Sequence, residues 1–437
     1  MEWLNEYSRS FLAKGYLSSD KTAEERIREI ALKAEEILNK PGFADKFYDY
    51  MSRGYYSLAS PVWSNFGLSK GLPISCFSSY LGDDMGQILF TQGEVGMMSK
   101  YGGGTAGYFG DLRPRGSVIK DNGVSSGSVH FMQIFETLVN VVSQGSVRRG
   151  HFAPYLPLEH PDIDEFLNIG TEGNSIQEMT YGVTVTDAWM KEMEEGDAAK
   201  RAIWAKVLQR RNQMGYPYIM FKDTANRNTV DVYRDKKLEI KASNLCSEIL
   251  LPSNEDWSFV CDLSSMNLLH YDAWKETDAV ETLVYFLDAV MSDFISRLEE
   301  MRDSGDKRKQ NSFYFMKRAH AFAKANRALG LGVLGWHSLL QSKMIAWESE
   351  AATKLNIQIF SHIQKQALEA SKKLAKEYGE PEVLKGYGRR NTTLMAIAPT
   401  TSSAFILGQV SQSIEPIWSN CYVKDIDKMK VTIYNKQ

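Results

Sequence analysis

A thiol, a carboxylate and an amide occur at alternate positions within residues 241–252. In an extended backbone successive side chains point to opposite faces, so Asn244, Cys246 and Glu248 would project to one side. Together they would form a compact reactive set, with apolar neighbours that bury the segment and Pro252 at its end. The alternative interpretation is a buried strand whose cysteine is inert. Residues elsewhere in the chain decide between the two.

The four cysteines are Cys76, Cys246, Cys261 and Cys421. So few cysteines in 437 residues do not make a secreted disulfide scaffold. The sequence has no C-x-x-C and no histidine pair at ligand spacing, so it predicts no metal site. This usage is typical of a cytoplasmic protein with a few functional thiols.

Composition excludes several classes of protein. Hydrophobic content of 43%, charged content of 24% and a net charge of -3 are ordinary for a globular protein, and no basic excess indicates nucleic acid as a partner. The first residues lack the basic-then-apolar order of a signal peptide. No stretch reaches the ~18 apolar residues that a membrane span requires. The length suits two or three domains or one large barrel.

Residues 1–58 are predicted to be a helical region. Thr22 and Glu25 have the spacing of a capping box, in which each side chain accepts a hydrogen bond from a free backbone N–H at a helix start. Apolar residues then recur at helical spacing until Pro41 and Gly42 end the run.

Strand and helix signals alternate over residues 59–437, which predicts an α/β core with parallel strands. Buried strands are predicted at 72–81 and 259–268, where they carry Cys76 and Cys261. Amphipathic helices are predicted at 129–142 and 276–302.

Two kinds of loop are candidates for ligand contact. The glycine cluster at 99–107 would let backbone approach a ligand closely, or would be a mobile loop. Arginines beside glycines at 112–117 and 144–150 suit phosphate, because guanidinium donates paired hydrogen bonds. The alternative for these two segments is a pair of solvated loops.

Two further motifs need their context. Gly330-Leu-Gly332-Val-Leu-Gly335 fits G-x-G-x-x-G, but a predicted helix precedes it where a dinucleotide site needs a strand, so tight packing is the better interpretation. A strand at 393–399 runs into a hydroxyl-rich turn, Thr400 to Ser403, that opens a helix. Free N–H groups make such a turn a phosphate site, and helix N-capping is the alternative.

Six motifs, in this order along the chain, resemble the large, catalytic subunit of ribonucleotide reductase, most closely class I. They are Ser75-Cys76-Phe77, Ser243-Asn-Leu-Cys246-Ser-Glu248, Cys261-Asp-Leu-Ser, Arg327-Ala-Leu-Gly-Leu-Gly-Val-Leu-Gly335, Pro399-Thr-Thr-Ser-Ser403 and Ser413-Ile-Glu-Pro416. One motif alone carries little weight, whereas the ordered set is highly specific.

The resemblance implies an α/β barrel of ten strands in two five-stranded halves, with the radical cysteine on a loop inside it. Cys246 would become a thiyl radical and remove the 3′ hydrogen of a ribonucleotide. Glu248 would be the base on the 3′ hydroxyl, and Asn244 would hold substrate hydroxyls. Cys76 would protonate the departing 2′ hydroxyl and form a redox disulfide with Cys261.

The residue types agree with this chemistry. A thiol S–H bond is comparable in strength to the C–H bond with which it must exchange, and a carboxylate suits proton removal from a hydroxyl. Two further thiols supply two electrons by forming a disulfide, provided that their Cα atoms come within ~7 Å. Cys76 and Cys261 are distant in sequence, so only the fold can bring them together.

The same resemblance implies substrate and effector contacts. The substrate contacts are hydroxyl, amide, carboxylate and glycine positions: Ser60, Ser75, Gly104, Asn244, Glu248, Thr400, Thr401, Ser402 and Ser403. Asp83, Lys100 and Arg113 match the specificity site, which binds a deoxynucleoside triphosphate or ATP at a dimer interface; Asp84 replaces Asp83 in a shifted alignment. The loop at 148–150 would link that effector to substrate choice.

The sequence also departs from the family. It leaves no room for the N-terminal ATP-binding cone, and we expect no class I tyrosine pair on the last barrel strand and no two-cysteine tail. The barrel is therefore predicted to lack its last strand, as a truncated chain or one completed by a second polypeptide, because a missing strand exposes unpaired edges.

The implied partners are a metal-containing, radical-generating small subunit, a second copy of the chain, and thioredoxin or glutaredoxin. Two alternatives stay open. One is an adenosylcobalamin-dependent, class II reductase that needs no small subunit. The other is a non-catalytic nucleotide-binding subunit, against which the complete set of cysteines, amide and carboxylate argues.

Overall fold

The computed structural model describes residues 1–18, 20–142, 149–426 and 429–435. The chain divides into two compact units. The first consists of Met1–Ile74, Cys261–Arg297 and Ala325–Gln437, and the second of Ser75–Val260 and Leu298–Lys324. Among the described residues, no helix combines the length and the apolar character needed to cross a membrane.

Helices and strands alternate along most of the chain. The helices are α1 (Glu6–Ala13), α2 (Ala23–Leu38), α3 (Phe43–Ser52), α4 (Ser60–Asn65), α5 (Met85–Lys100), α6 (Ser128–Val141), α7 (Ile163–Phe166), α8 (Asp187–Glu195), α9 (Ala198–Met214), α10 (Lys222–Asn228), α11 (Asp231–Asp235), α12 (Tyr271–Trp274), α13 (Ala279–Asp303), α14 (Lys307–Asn326), α15 (Trp336–Ser342), α16 (Glu350–Tyr378) and α17 (Thr401–Ile406). The strands are β1 (Tyr56–Leu58), β2 (Cys76–Tyr80), β3 (Gly104–Tyr108), β4 (His151–Pro157), β5 (Gly182–Val185), β6 (Tyr218–Phe221), β7 (Phe259–Asn267), β8 (Leu329–Leu334), β9 (Cys421–Ile426) and β10 (Met429–Tyr434). Two 3₁₀ segments occur at Leu268–His270 and Glu382–Leu384.

The N-terminal region is helical, and α2 begins with the predicted capping box. The Thr22 hydroxyl accepts a hydrogen bond from the N–H of Glu25 at 3.2 Å, and the Glu25 carboxylate accepts one from the N–H of Thr22 at 2.8 Å. Ile27, Ile30 and the other apolar residues of the periodic run are buried, because they form one face of the helix. The apolar run that was identified by its helical spacing is therefore part of the core.

The second unit contains five parallel strands in the order β2, β3, β4, β5, β6. Each strand pairs with the next one in sequence, and at least one helix connects each pair, as parallel neighbours require. The predicted α/β fold with parallel strands is confirmed.

An aromatic core covers this sheet on the side of α5 and α6. The ring of Phe135 on α6 stacks on Phe152 of β4 with centroids 4.8 Å apart, and Phe109 meets both rings edge-on. All three side chains are buried. Truncating such a ring to alanine typically costs about 3–5 kcal/mol, so this cluster fixes the helices on the strands.

In the first unit, β7 pairs antiparallel with β1 and parallel with β8. Gly330 and Gly332 lie inside β8, and a Cβ at Gly332 would come within 2.6 Å of the Ala396 carbonyl oxygen. The glycines therefore permit close backbone approach within the sheet, and the rejection of a dinucleotide fingerprint is confirmed.

The strand predicted at 393–399 is wrong as a regular element. The segment forms an isolated bridge between Met395 and Leu331 of β8, with a few further backbone hydrogen bonds. Its pairing stops before Pro399, which has no N–H to donate.

The first unit also buries one shared carboxylate. Asp288 accepts hydrogen bonds from Arg327 at 2.9 Å, from Arg390 at 2.8 Å and from the Asn391 amide at 3.1 Å. Burial acts to raise the pKa of Asp288, but the two guanidinium groups outweigh it and hold the pKa below its ordinary value. The cluster ties α13 to Arg327, the residue that follows α14, and to the segment that follows α16.

A second buried carboxylate has no such partners. Within the described residues, neither oxygen of Asp262, next to Cys261 on β7, has a hydrogen-bond partner. Burial and the nearby Asp288 raise the pKa of Asp262 well above its usual range, and Arg327 opposes them only in part. The carboxyl group is therefore held in its neutral form over a wider pH range than an exposed aspartate.

We expect Asp262→Asn to stabilise the chain at neutral pH. Because folding raises the pKa, the folded state binds this proton more tightly, and stability falls as pH rises from the ordinary carboxyl pKa, about 3.9, towards the folded value. Asparagine does not ionise, so the gain in thermal midpoint should be present at pH 7 and vanish near pH 4. Each 1 kcal/mol corresponds to about 2–4 °C.

Asp288→Asn is the matched control for this measurement. It removes the charge that two buried arginines share, so it should lower the midpoint, with a cost of about 3–5 kcal/mol. Equal responses of the two variants at neutral pH would contradict the assignment of Asp262 as a neutral acid.

Candidate active site

The segment that carries Cys246 is a turn, and its predicted extended conformation is wrong. Residues 245–247 form a turn in which Ser247 has φ of +69° and donates its N–H to the Asn244 carbonyl at 3.2 Å. The cause is the Asn244 side chain. Its Oδ1 accepts hydrogen bonds from the N–H groups of Glu248 and Ile249, both at 3.0 Å, and so folds the chain back on itself.

The same amide joins the carboxylate to a second cysteine. Nδ2 of Asn244 donates to Oε2 of Glu248 at 2.8 Å and to Sγ of Cys76 at 3.1 Å. Asn244 and Cys76 are buried, whereas Cys246 is exposed at the tip of the turn. The predicted amide, carboxylate and two of the three predicted thiols therefore belong to one small region.

The sheet of the second unit positions this turn. Cys76 begins β2 and lies in register with Gly104 of β3, where an added Cβ would come within 2.8 Å of Leu245. The absence of a side chain at Gly104 thus leaves room for the loop. The Ser75 carbonyl accepts a hydrogen bond from the N–H of Gly104 at 2.7 Å. Gly104, which was predicted to contact substrate, here lies against Leu245 of the loop.

Hydroxyl groups that sequence analysis did not identify support the loop from the strands. Tyr155 of β4 donates to the Asn244 carbonyl at 2.8 Å, and Ser78 of β2 donates to the Ser243 carbonyl at 3.3 Å. The Ser243 hydroxyl donates to the Ile249 carbonyl at 2.8 Å. A tyrosine on a strand has no motif around it, so only its partner in the fold reveals this contact.

Burial changes the acidity of the groups around the turn. It raises the pKa of Glu248, and the hydrogen bond from Asn244 opposes that effect. Burial also raises the pKa of Tyr155 and of Tyr218, which, like Leu245, packs against the apolar cluster that contains Tyr155. A carboxylate with a raised pKa is suited to accept a proton near neutral pH, and neutral tyrosines act as hydrogen-bond donors beside it.

The hydroxyl-rich turn lies in the first unit. Thr400 has φ of +53°, and its Oγ1 accepts a hydrogen bond from the N–H of Ser413 at 2.8 Å. Thr400, the N-cap residue of α17, makes no side-chain capping hydrogen bond within the described part of the chain, so N-capping does not explain its hydroxyl group. Ser403 lies next to β1, since it donates to the Leu58 carbonyl at 3.3 Å, and Ser60 begins α4 just beyond.

The remaining predicted residues fall in separate places. Cys261 is buried on β7 in the first unit, whereas Cys76 is in the second, so their disulfide stays a prediction. Arg113 pairs with Asp83 at 2.8 Å, whereas Asp84 caps α5 through the N–H of Gln87.

Lys100 is the last residue of the 16-residue helix α5, about 22 Å from its start at about 1.5 Å per residue. Within one chain it is therefore far from Asp83 and Arg113, which lie at the other end. Of the predicted linking loop, Arg148 lies outside the described residues.

Two substitutions of Asn244 should separate its two roles. Asn244→Ala removes the acceptor for the turn and should raise amide hydrogen exchange at 245–250, since each lost hydrogen bond is worth about 1 kcal/mol. Asn244→Asp keeps an acceptor for both N–H groups and should preserve protection, while its charge raises the pKa of Glu248 further. Equal protection in the two variants would contradict the role of Oδ1.

Comparisons with known proteins show the family of this chain. A family model described as ribonucleotide reductase, barrel domain, matches residues 74–200, 198–384 and 381–437, and one described as ribonucleotide reductase, all-alpha domain, matches residues 2–71. The structure resembles the class Id ribonucleotide reductase alpha subunit of Actinobacillus ureae, with a TM-score of 0.90 and 58% identity, over 96% of this chain and 77% of that one.

Two curated relatives carry different names. A protein of Frog virus 3 named as a ribonucleoside-diphosphate reductase large subunit is 36% identical over 88% of this chain and 68% of its own length. A vitamin B12-dependent ribonucleoside-diphosphate reductase of Mycobacterium tuberculosis is 29% identical over 90% of this chain, which spans 58% of that protein. By its sequence, its fold and its cysteine-bearing turn, this chain belongs to the ribonucleotide reductase family, as a large subunit.

Proposed function

We propose that this chain reduces ribonucleoside diphosphates to 2′-deoxyribonucleotides by a thiyl-radical mechanism centred on Cys246. The observation that carries the proposal is the Asn244 network, which joins a carboxylate and the Cys76 sulfur to the turn that presents Cys246. Family membership supports the same reaction.

The steps balance with the residues present. The Cys246 thiyl radical takes the 3′ hydrogen, Glu248 accepts the 3′ hydroxyl proton, and Cys76 protonates the 2′ hydroxyl, which leaves as water. Cys261 then gives its hydrogen atom to C2′, and its sulfur joins the Cys76 thiolate as a disulfide radical anion. That anion passes one electron to the 3′ carbonyl and becomes the disulfide, Glu248 returns its proton to the 3′ oxygen, and Cys246 returns the hydrogen to C3′, which regenerates its thiyl radical. A metal-containing small subunit supplies the starting radical, and thioredoxin or glutaredoxin reduces the disulfide.

Glu248 is suited to its assigned step by its surroundings. A base must be ionised before it can accept the 3′ hydroxyl proton, and burial raises the pKa of Glu248 towards the pH at which the enzyme works. The Asn244 amide limits that rise and holds the carboxylate in one orientation.

Substrate contacts are assigned to two groups of residues. Ser60, Ser75, Gly104, Asn244 and Glu248 would contact other parts of the substrate, and Thr400, Thr401, Ser402 and Ser403 would contact the phosphates. Within the described residues the N-cap residue Thr400 makes no side-chain capping hydrogen bond to α17, and this supports the second assignment.

The specificity effector, a deoxynucleoside triphosphate or ATP, is assigned to Asp83, Arg113 and Lys100. Because Lys100 lies about 22 Å along α5 from the other two, one effector would meet all three only if a second copy of the chain supplied Lys100. This separation supports a homodimer with the effector at its interface.

A class I enzyme is favoured over the cobalamin-dependent alternative. Identity to the class Id alpha subunit is 58%, against 29% to the vitamin B12-dependent relative. We place the reaction in the cytoplasm, where thiols are kept reduced. The exposed side chains of Trp418, Val423 and Tyr434 at the C-terminal hairpin support a further polypeptide segment that covers them.

Cys246→Ser should abolish deoxynucleotide formation, because a hydroxyl O–H bond is too strong to exchange with the substrate C–H. Turnover with the radical-generating subunit and a dithiol should fall more than about 10³-fold. Cys421→Ser, an exposed cysteine on β9, is the matched control and should keep wild-type turnover. Substantial product from Cys246→Ser would refute the assignment, and product from wild type with adenosylcobalamin alone would favour class II.

The pH profile tests Glu248. Wild-type turnover should rise with pH as Glu248 ionises, with the midpoint above that of an ordinary glutamate because burial raises the pKa. Glu248→Gln keeps the shape of the side chain but cannot accept the proton, so its residual turnover should lack this rising limb. An unchanged profile in the glutamine variant would assign the limb to another group.

A further inference from the structure

A buried carboxylate on α5 contacts the two segments that lead to the predicted redox thiols. Oε1 of Glu94 accepts a hydrogen bond from the Ser79 hydroxyl at 2.5 Å and another from the Ser258 hydroxyl at 2.7 Å. Ser79 follows Cys76 by three residues, and Ser258 precedes Cys261 by three. Oε1 of Glu94 therefore binds both segments, and in each segment the bound serine is three residues from the cysteine.

Arg318 of α14 holds this carboxylate in place. Its Nη2 donates to Oε1 of Glu94 at 2.8 Å and its Nε donates to Oε2 at 3.0 Å. The side chains of Arg318 and Glu94 are 3% and 0% exposed. A buried ion pair with this many partners is rigid, because movement of either group would leave a desolvated charge unpaired.

The same arginine also fixes the backbone around the two serines. Its Nη1 donates to the Tyr80 carbonyl, next to Ser79, at 3.0 Å. Its own carbonyl accepts the N–H of Ser258 at 3.4 Å. Both segments are thus held through their backbone as well as through their hydroxyl groups.

Glu94, Arg318, Ser79 and Ser258 form a clamp whose serine side chains point away from the predicted redox thiols. In extended chain, residues three apart point to opposite faces, so Ser79 points away from the face of Cys76, and Ser258 points away from the face of Cys261. On β2 the contacts agree, since Cys76 meets Asn244 and Ser79 meets α5. Three residues span about 10 Å, short enough to transmit the restraint along a strand.

We propose that Glu94, held by Arg318, is a positioning residue that sets the separation of Cys76 and Cys261 for disulfide formation. The inference rests on the proposed function, which makes these two cysteines the redox pair. None of the six motifs includes Glu94, Ser79, Ser258 or Arg318. Disulfides require narrow Cα and Cβ separations, so a small loosening of either segment lowers the stability of the bond.

The experiment measures the disulfide itself, without turnover. In a chain carrying Cys246→Ser and Cys421→Ser, only Cys76 and Cys261 keep their thiols. Alkylation and intact mass in dithiothreitol buffers give the equilibrium constant for closing the disulfide. Ser79→Ala with Ser258→Ala should lower that constant about tenfold or more, since thiols held less closely have a lower effective concentration.

These variants leave the ion pair intact, so they avoid the folding failure that a change at Glu94 would risk. Ser99→Ala is the matched control: it removes a buried hydroxyl from the same helix, one with no hydrogen-bond partner in the described part of the chain, and should leave the constant unchanged. Thermal midpoints of all variants are recorded in parallel.

The outcomes separate the inference from the function on which it rests. A lowered constant in the double alanine variant, with Ser99→Ala unchanged, supports the clamp. A constant equal to that of the parent chain, or an equal loss in Ser99→Ala, overturns it and leaves the redox pair standing. Failure of the parent chain to close any disulfide overturns the redox pair and the inference together.

Discussion

The side-chain amide of Asn244 is the interaction on which the site depends. Its oxygen accepts hydrogen bonds from two backbone N–H groups, and its nitrogen donates to the Glu248 carboxylate and the Cys76 sulfur. These bonds use both donors of the group and build the turn, orient the Glu248 carboxylate and connect the turn to β2 at the same time. No other neutral side chain of this length offers two donors and a strong acceptor in one plane.

The parallel sheet of the second unit gives that amide a fixed frame. Register between β2 and β3 places Cys76 opposite Gly104, and the missing side chain leaves room for Leu245. Tyr155 reaches the loop from the next strand. The reactive groups thus lie on a loop that a rigid scaffold supports, the usual division of labour between loops and sheets. Each unit adds a buried ion cluster that joins its helices.

Sequence reasoning predicted best where the signal is local. The capping box, the helices at α6 and α13 and the strand that carries Cys261 follow from periodicity and turn residues, and the structure confirms them. It failed at 241–252, because alternation of side chains cannot reveal that an asparagine will bind its own backbone. It could not show that helix α5 separates Lys100 from Asp83, because a motif carries no information on distance. Glu94 and Arg318 were missed for a related reason: their pairing joins residues distant in sequence.

The bond between Asn244 and Cys76 joins residues 168 positions apart. Contacts of such separation require closure of a long loop. They form late in folding because closing the loop costs entropy before the contact contributes any stabilising free energy. The turn at 244–248 is built from local bonds and can form early, whereas its link to β2 must wait for the intervening strands. During synthesis Cys76 and Cys246 therefore exist as exposed thiols before the bond between Asn244 and Cys76 forms.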